Sequence, residues 1–426
     1  MFEKIAQIFK IKELRKKIFF AVSLLIVFRL AAHIPVPGVD AAALKSFFEG
    51  NQIFGLLNMF TGGGMENFSI VAMGVGPYIT SSIIMQLLVM VVPALEKMQK
   101  EEGEDGRRKM NQITRWLTIP LAALQSYSMI VLLQKSGQNI LGDLDPFKLV
   151  TMIVTLTAGT IFLMWLGELI TEKGIGNGVS LIIFAGIVSA IPMALQQTFV
   201  NFEQSKVIEL VIFAVVAVVV IAGIVFITEG QRNIPVNYAR RVRGMKMYGG
   251  TSSHLPLKVN QAGVIPIIFA MSLMLLPGMI ANFLVNVNNA MVKDIAQNVA
   301  DLFNNNLFYG AIYFVMVIFF TYFYTAVTFD PKQISEHLQK QGGFIPGIRP
   351  GTHTREYLNK TMTRITLAGS FFLGLVAVLP FIMKAAFDVP SLVIGGTGIL
   401  IVVSVVIETV RQIESEMVMR DYESFY

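Results

Sequence analysis

The chain contains no cysteine and only four histidines, and both facts exclude kinds of functional site. Without cysteine there is no disulfide and no thiolate ligand for a metal ion. His33, His254, His337 and His353 are far apart, and no two of them stand at the spacing that places side chains on one helix face. We therefore expect neither a metal nor a cofactor.

Charged residues are also scarce. They make up 15% of the chain, whereas about 25% is usual in soluble domains. The mean hydropathy is +0.63, and several apolar runs reach the ~20 residues that cross a bilayer as a helix. The basic, amphipathic stretch 1–17 leads directly into such a run, so we expect no cleavable signal peptide. The composition predicts an all-α polytopic membrane protein.

The apolar runs predict ten membrane spans. The first is ended by Pro35 and Pro37, which cannot continue a helix. A short apolar piece at 53–60 precedes the second span and is too short to cross. The spans are expected near 18–34, 75–92, 115–134, 149–170, 180–199, 207–227, 262–284, 307–328, 363–384 and 391–409.

Lysine and arginine are unevenly distributed between the two sides that ten spans define. Of these 34 residues, 27 fall on the side that holds both termini and six on the other side, while Arg29 lies within the first span. Loops rich in lysine and arginine stay in the cytoplasm. We therefore expect both termini to be cytoplasmic.

Two predicted cytoplasmic loops, 229–260 and 329–361, are much longer than the 2–8 residues that usually connect packed helices. The first has β-type residues bounded by glycine and proline, which predicts a hairpin. The second has turn residues typical of an ordered, projecting loop. Their positive charges either contact anionic lipid headgroups or form a docking surface for an acidic or nucleic-acid-rich partner. We favour docking, because topology alone needs only a few charges in short loops.

The segment 62–88 combines an apolar helix with residues that are costly in hydrocarbon. Three glycines, the motif Gly74–Ile79 (GVGPYI) and several hydroxyls interrupt it, so we expect it to face protein or a cavity. The seventh span opens with a similar motif, Gly263–Ile268 (GVIPII). Interrupted helices at corresponding positions are typical of inverted repeats with the functional site between them. We predict two inverted five-helix halves, 1–200 and 201–426.

No catalytic motif is present, because the sequence has neither a G-x-S-x-G elbow nor an H-E-x-x-H pair. The glycine-rich stretch Gly174–Gly178 (GIGNG) is expected to be a tight turn between two spans and not a phosphate loop. Acidic residues fall near the predicted span ends, which disfavours proton or sodium coupling. The chain is not expected to be an enzyme.

The span centres are instead aliphatic. Isoleucines recur every four residues in the fifth span and form one stripe, and further aliphatic residues follow the two matched motifs. An apolar constriction can seal against ions without binding anything, although ordinary helix packing is the alternative for any single isoleucine. The predicted constriction consists of Val75, Ile79, Ile183, Ile187, Ile191 and Ile268.

Four stretches resemble sequence signatures of the SecY protein-translocation channels. Ser69–Gln86 resembles the first signature of that family, and Gly167–Ser180 resembles the second. Arg29 with Ile34–Asp40 is similar to the family's end of span one, and Phe344–Gly351 to its loop between spans eight and nine. The motifs occur in the family's order and cover essentially the whole chain.

The resemblance implies a protein-conducting channel, the central subunit of the Sec translocon. Such a channel passes unfolded polypeptides across the membrane and releases hydrophobic segments sideways into lipid. It implies a re-entrant plug at about 54–67, with Phe54, Leu57, Met59, Gly62, Gly63, Gly64 and Met65. It adds Ile401 to the constriction residues as a pore ring, in which Val75 replaces the family's isoleucine and makes the ring slightly wider. It implies a lateral gate with Pro77, Ser81, Ser82, Gln86, Pro266 and Ser272.

The resemblance also implies partners and a location. These are the small membrane subunits SecE and SecG, the ATPase SecA, the ribosome, signal sequences, nascent polypeptides and anionic phospholipid. The loops resemble bacterial members, which implies a bacterial cytoplasmic membrane. Since no nucleotide site is recognisable in the sequence, the driving energy is expected from partners. The implied docking residues are Arg240, Arg241, Arg243, Lys246, Arg349 and Arg355.

Two other classes share some of these features. A secondary transporter with a five-plus-five inverted repeat also has interrupted helices, but it needs a polar substrate site near the midplane. An intramembrane scaffold would have the spans without a pore. Contact of a translocating chain with residues 75–79 and 187–191 would distinguish the channel from both.

Overall fold

The structure is a computed structural model of the chain, and it consists mainly of helices. It describes residues 11–40, 43–44, 61, 63–65, 67–100, 102–134, 140–142, 145–200, 207–238, 241–243, 246–248, 252–284, 290–386 and 396–423. The helices in this part of the chain are α1 (Lys12–Ala31), α2 (Gly76–Val91), α3 (Pro93–Lys100), α4 (Gly103–Gln134), α5 (Pro146–Lys173), α6 (Gly178–Val200), α7 (Val207–Glu229), α8 (Ile265–Leu284), α9 (Ala290–Asn304), α10 (Asn306–Thr328), α11 (Pro331–Lys340), α12 (Thr352–Ala386) and α13 (Gly396–Glu423).

A helix lies at each of the ten positions where the sequence predicts a span. Within the described residues, five helical stretches are long and apolar enough to cross a membrane, or six if the bent pair α2 and α3 is counted as one. Shorter apolar helices cover Gly178–Pro192 and Ile265–Met274. The outward faces are apolar, and α7 exposes Val211, Val215 and Phe226. Such faces suit a lipid environment.

Several helix ends differ from the predicted span ends. The helix α4 begins at Gly103 and not near 115, α12 begins at Thr352 and not near 363, and α13 continues to Glu423 and not to about 409. Hydropathy marks where a chain leaves lipid, whereas a helix continues into water wherever its side chains are solvated. At Val92 the chain turns by 106° into α3, because Pro93 has no N–H to continue the helix.

The helix packing within 1–200 is repeated within 201–426. The contact of α2 with α4 corresponds to that of α8 with α10, and the contact of α4 with α5 corresponds to that of α10 with α12. Likewise α5 packs on α6 as α12 packs on α13, and α1 packs on α6 as α7 packs on α13. The two sets meet where α8 packs on α2 and α4, and where α13 packs on α6. This pattern agrees with two five-helix halves.

The two long loops form one small sheet. Strands β1 (Gln231–Tyr238) and β4 (Ser252–Lys258) pair antiparallel, with Gln231 opposite Lys258. Between them, β2 (Arg241–Arg243) and β3 (Lys246–Tyr248) pair with each other, so the predicted hairpin is confirmed. The second loop adds β5 (Gly343–Phe344) to the other edge of β1.

A separate apolar core holds this sheet against α11 and the start of α12. Its buried members are Ile234, Val236, Leu257, Phe329, Leu338, Ile345, Leu358 and Met362. The sequence patterns described the two loops separately and did not predict α11 or the joint sheet. The start of α11 has an ordinary signal, because the Asp330 side chain accepts hydrogen bonds from the backbone N–H groups of Lys332 and Gln333.

The glycine-rich stretch Gly174–Gly178 is the predicted turn between α5 and α6. Asn177 caps α6 by accepting a hydrogen bond from the Ser180 N–H at 3.2 Å. The Thr171 hydroxyl accepts one from the Gly178 N–H at 2.8 Å. A Cβ on Gly178 would stand 1.9 Å from the Gly167 carbonyl oxygen, so glycine is required there. The stretch therefore serves helix packing.

The irregular segment 61–75 before α2 packs directly on α5. A Cβ on Gly159 would stand 1.8 Å from the carbonyl oxygen of Ile70 and 3.3 Å from the Cα of Val71. Both neighbours are backbone atoms, so they cannot rotate away as a side chain can. Gly159 therefore sets how closely this segment approaches the bundle.

We expect Gly159→Ala to destabilise the protein by about 3 kcal/mol, because an added methyl group forces two packed backbones apart. Thermal unfolding of the detergent-solubilised chain measures the effect. The matched control is Gly278→Ala in α8, where a Cβ meets nothing within 4 Å. That change should be neutral or stabilise by up to about 1 kcal/mol through helix propensity. Equal effects of the two changes would contradict the close approach at Gly159.

Candidate functional site

The helices α2 and α8 start in the same unusual way. Gly74, with φ +57°, and Gly263, with φ +64°, both have the left-handed backbone that glycine adopts without strain. Three residues later, Pro77 and Pro266 stand in the first turn of each helix, where their missing N–H needs no partner. The matched sequence motifs therefore form matched helix starts.

A valine follows each of these glycines. Val75 and Val264 are both buried, and their carbonyl groups accept the first hydrogen bonds of the two helices. The Ile79 N–H donates to Val75 at 3.0 Å, and the Ile267 N–H donates to Val264 at 3.1 Å. Val75 was predicted as a constriction residue and Val264 was not, although the shared G-V-x-P pattern contains both.

One buried apolar cluster surrounds the two helix starts, and it contains six of the seven residues expected in the pore ring. The six come from the starts of α2 and α8, from α6 and from α13, so both halves contribute. Ile191 is half-buried and lies outside this cluster. The six are Val75, Ile79, Ile183, Ile187, Ile268 and Ile401.

Isoleucines on α6 face different neighbours. The Cδ1 atom of Ile182 is 3.5 Å from the position that a Cβ on Gly167 would occupy, so Ile182 packs on α5. The Cγ2 atom of Ile187 is 3.5 Å from the position that a Cβ on Gly398 would occupy, so Ile187 faces α13 of the other half. Ile183 stands one turn before Ile187 and shares its face. The predicted stripe therefore points between the halves, and Ile182 points away from it.

The expected plug lies only partly within the described residues. Gly63 has φ +77°, and no described residue lies within 4 Å of the position of a Cβ there, whereas a Cβ on Gly64 would stand 3.0 Å from the Ser69 hydroxyl oxygen. Met65 is buried. The plug residues outside the described part are Phe54, Leu57, Met59 and Gly62.

Backbone hydrogen bonds fix residues 64–75 in place. The Ser69 N–H donates to the Gly64 carbonyl at 2.8 Å, and the Ile70 N–H donates to the Ile34 carbonyl at 3.0 Å. Phe68 accepts a hydrogen bond from Val36 at 2.9 Å and has φ +42°. This backbone is uncommon for a bulky residue and costs about 1–3 kcal/mol, which the buried surroundings of the ring must offset. Strain is therefore stored where the expected plug joins α2.

A second apolar cluster encloses this segment, between the end of α4 and the start of α5. Phe68 is fully buried in it. Methionine is unbranched and flexible, and it fills irregular space more readily than the branched residues do. The surroundings of the segment are thus suited to repacking. The cluster's four methionines are Met65, Met73, Met129 and Met152.

The expected gate residues on α2 do not all share one environment. Ser81 is buried, and its hydroxyl donates to the Thr114 carbonyl oxygen at 2.7 Å, which holds α2 on α4. The Gln86 amide donates to the Ser82 hydroxyl at 3.3 Å, so these two residues interact with each other.

The contact between α2 and α8 is of a different kind. The two helices pack directly, and Pro77 and Pro266 are both buried while Ser272 is half-buried. Among the described side chains, no hydrogen bond or ion pair joins α2 to α8. Both helices contribute buried apolar residues to the central cluster, such as Ile83 of α2 and Met271 of α8.

Ionisable side chains near the helix ends are paired with opposite charges. The pairs join different helices, namely α4 with α5, α7 with α13, and α1 with α13. They are Arg115–Glu168 at 2.8 Å, Arg411–Glu229 at 2.7 Å and Lys17–Glu416 at 2.8 Å. Within the described residues, no group of three or more metal-ligating side chains comes together.

The described docking residues lie next to the joint sheet, in the separate β2–β3 hairpin, in the turn after β5 and at the start of α12. Arg349 and Arg355 are exposed, and the Arg349 carbonyl accepts a hydrogen bond from the Thr354 hydroxyl at 3.1 Å, which orders the turn. Arg241, Arg243 and Lys246 lie on β2 and β3, while Arg240 lies outside the described residues. The pairing of β5 with β1 brings the two loops together.

A bundle of apolar helices in which two interrupted, proline-led helices start inside one buried apolar core defines a polytopic helical membrane protein. Comparison with known proteins defines the family. A sequence model of the SecY family matches residues 69–410. The protein translocase subunit SecY of Mycobacterium tuberculosis is 45% identical over 433 residues, with 97% of each chain covered. The chain belongs to the SecY family.

Solved structures show the same fold. The chain is similar to a protein conducting channel, with a TM-score of 0.65 at 19% identity, and 94% of this chain and 92% of that one are covered. It is also similar to Sec61 in a canine ribosome–channel complex, with a TM-score of 0.63 at 18% identity and the same coverage. These findings confirm the resemblance, the fold class and a channel that is not an enzyme.

If the clustered isoleucines close a dry constriction, Ile183→Asn should increase ion leak through the resting protein, because a polar side chain makes a narrow apolar ring easier to wet. Ile79→Asn and Ile268→Asn should act in the same way. Ion flux into vesicles that contain the purified chain measures the leak.

The matched control is Ile182→Asn, which changes an equally buried isoleucine of the same helix that packs on α5. It should lower stability without a matching leak. A similar leak in both α6 variants, or tight seals in all three ring variants, would contradict the assignment of the ring.

Proposed function

We propose that unfolded polypeptides cross the membrane between the two halves, through the ring formed by Val75, Ile79, Ile183, Ile187, Ile268 and Ile401. The observation that carries this proposal is that these six residues, from four helices of both halves, are all buried in the central apolar core that contains the matched starts of α2 and α8. Aliphatic side chains offer no hydrogen bonds or charges, so they bind no particular sequence strongly. Such a ring suits a path for many different chains.

We propose that the segment before α2 acts as a plug that moves aside during transport. Residues 64–75 are anchored by backbone hydrogen bonds and by a methionine-rich cluster, and Phe68 stores backbone strain where the segment meets the bundle. Gly63, with its left-handed backbone and open surroundings, is the proposed hinge. Unimpaired transport in a protein whose Met65 is tethered to α5 would count against this movement.

We propose that hydrophobic segments leave the channel sideways between α2 and α8. This seam is held by apolar contacts, whereas the neighbouring contact of α2 with α4 includes the Ser81–Thr114 hydrogen bond. The helices α2 and α8 can therefore part while α2 stays attached to its own half. A segment at the open seam then partitions into lipid according to its side chains.

The loop sheet is the proposed docking surface for cytoplasmic partners. It joins both long loops, and exposed arginines follow it at position 349 in the next turn and at position 355 at the start of α12. Clustered positive charge favours rapid association with acidic surfaces and with nucleic acid. The proposed partners are the ribosome and the SecA ATPase, which would also supply the driving energy.

The remaining proposals concern the membrane. The lysine and arginine distribution supports cytoplasmic termini for a chain with ten spans. The proposed location is a bacterial cytoplasmic membrane with anionic phospholipid, because the loops resemble those of bacterial members. Broad apolar faces, such as that of α7, are exposed in the single chain. They can accept either lipid or the helices of small membrane subunits such as SecE and SecG.

The lack of native cysteine allows a direct test of the channel. Single Ile79→Cys and Ile187→Cys variants should crosslink to a secretory chain that is stalled during transit, because both positions lie in the proposed path. Ile221→Cys, on the lipid-facing side of α7, is the matched control and should not. A transporter or a scaffold would give crosslinks at none of the three.

The docking proposal predicts that Arg349→Glu weakens binding of ribosomes and of SecA, by roughly tenfold at low salt and less as salt screens the charge. Affinity measured against salt concentration tests this. Lys332→Glu, an equal charge change at an exposed position on α11, is the control. Equal losses in both variants would indicate a general charge effect and not a docking contact at Arg349.

A further inference from the structure

The helix α9 is too short to span and is not part of the proposed channel. It has 15 residues, fewer than the ~20 needed to cross a bilayer. It follows α8 at the end opposite the loop sheet and packs on both α8 and α10. Its sequence AMVKDIAQNVADLFN contains apolar residues on one side and polar residues on the other when placed on a helix.

Only part of the apolar side is used for packing. Ala296 and Ala300 are buried, and their small size lets the helix backbone approach its neighbours closely. Phe303 contacts Phe308 of α10 edge to face, with ring centroids 6.0 Å apart. These three residues therefore fix which side of α9 faces the bundle.

The rest of the apolar side is exposed. Met291, Ile295 and Leu302 are spaced by four and seven residues, which places them in one stripe along the helix. Their exposed fractions are 74%, 59% and 48%. A stripe of large apolar residues is costly in water, because apolar surface is more stable when it is removed from water.

The stripe continues into the surface that already faces lipid. The helices α9 and α10 are separated by Asn305, which has extended backbone, donates its N–H to the Leu302 carbonyl at 3.2 Å and caps α10 with its side chain. Leu307, at the start of α10, is exposed, and so are Val315 and Phe319 further along α10. Since exposed apolar residues occur on both α10 and α9, we expect lipid to contact both helices.

The opposite side of α9 suits lipid headgroups and water. The exposed polar residues there carry one positive and two negative charges, so the helix has no basic face with which to select anionic lipid. Short amphipathic helices of low overall hydrophobicity lie in the plane of the interface with the apolar side ~5–10 Å deep. The exposed polar residues are Lys293, Asp294, Gln297, Asn298 and Asp301.

We propose that α9 lies in the membrane interface on the side opposite the loop sheet, with Met291, Ile295 and Leu302 among the lipid acyl chains. With the proposed orientation, this is the outer leaflet. Since α9 packs on α8, it ties the far end of that gate helix to the lipid surface. The contact depends on apolar area, so neutral phosphatidylcholine is sufficient for it.

The test uses single nitroxide labels on the full-length chain, which has no native cysteine. Labels at Ile295→Cys and Leu302→Cys are compared with one at Gln297→Cys, on the polar side, in phosphatidylcholine vesicles. All three positions are exposed, so labelling preserves the fold. Spin relaxation by oxygen, which concentrates in lipid, is compared with relaxation by a water-soluble nickel chelate.

We expect the ratio of oxygen to nickel accessibility to be several-fold higher at positions 295 and 302 than at 297, and unchanged when anionic lipid is added. Nickel access at all three positions would overturn the proposal by showing that α9 projects into water. Exclusion of both reagents at 295 and 302 would also overturn it, because a second protein chain would then cover the stripe. Neither result depends on transport, so the proposed channel function is tested separately.

Discussion

Backbone N–H and C=O groups have no water partner inside a bilayer, and the arrangement of this chain depends on that constraint. The irregular residues before α2 are hydrogen-bonded among themselves and to residues 34–36, and they lie against Gly159 of α5. Before α8, Val264 supplies the acceptor for the first helical N–H groups. An interrupted helix must be covered by protein to avoid lipid, and both interruptions therefore lie at the centre of the bundle. The helices that surround the two interruptions also exclude water from the apolar side chains of the central cluster.

The features that sequence predicts well have a local pattern. Hydropathy located a helix for every predicted span, and the repeated G-V-x-P pattern located two helix starts with the same left-handed glycine. The four-residue spacing of isoleucines on α6 placed Ile183 and Ile187 in the central cluster. Ile191 continues that spacing but lies outside the cluster. Spacing alone does not show at which residue a stripe on a helix leaves the core.

Features that depend on distant parts of the chain were missed. The pairing of β5 with β1 joins residues more than a hundred positions apart, so neither loop shows it alone. The bond from Ser81 to the Thr114 carbonyl likewise needs α2 and α4 to be packed first. Helix ends at Gly103 and Thr352 were missed for another reason, since hydropathy records the lipid boundary and not the end of hydrogen bonding. Val264 could have been predicted, because it occupies the same place in its motif as Val75 does.

The apolar seam between α2 and α8 has a thermodynamic consequence. In lipid there is no hydrophobic gain when two apolar helices meet, because the hydrocarbon tails are equally apolar and only packing favours contact. The contact of α2 with α8, which lacks hydrogen bonds among the described side chains, therefore differs little in free energy from a contact of either helix with another apolar helix. On the proposed lateral path, an incoming hydrophobic helix would compete with α8 for the surface of α2 on nearly equal terms. Entry becomes an exchange between similar partners, whose outcome is decided by how apolar the newcomer is.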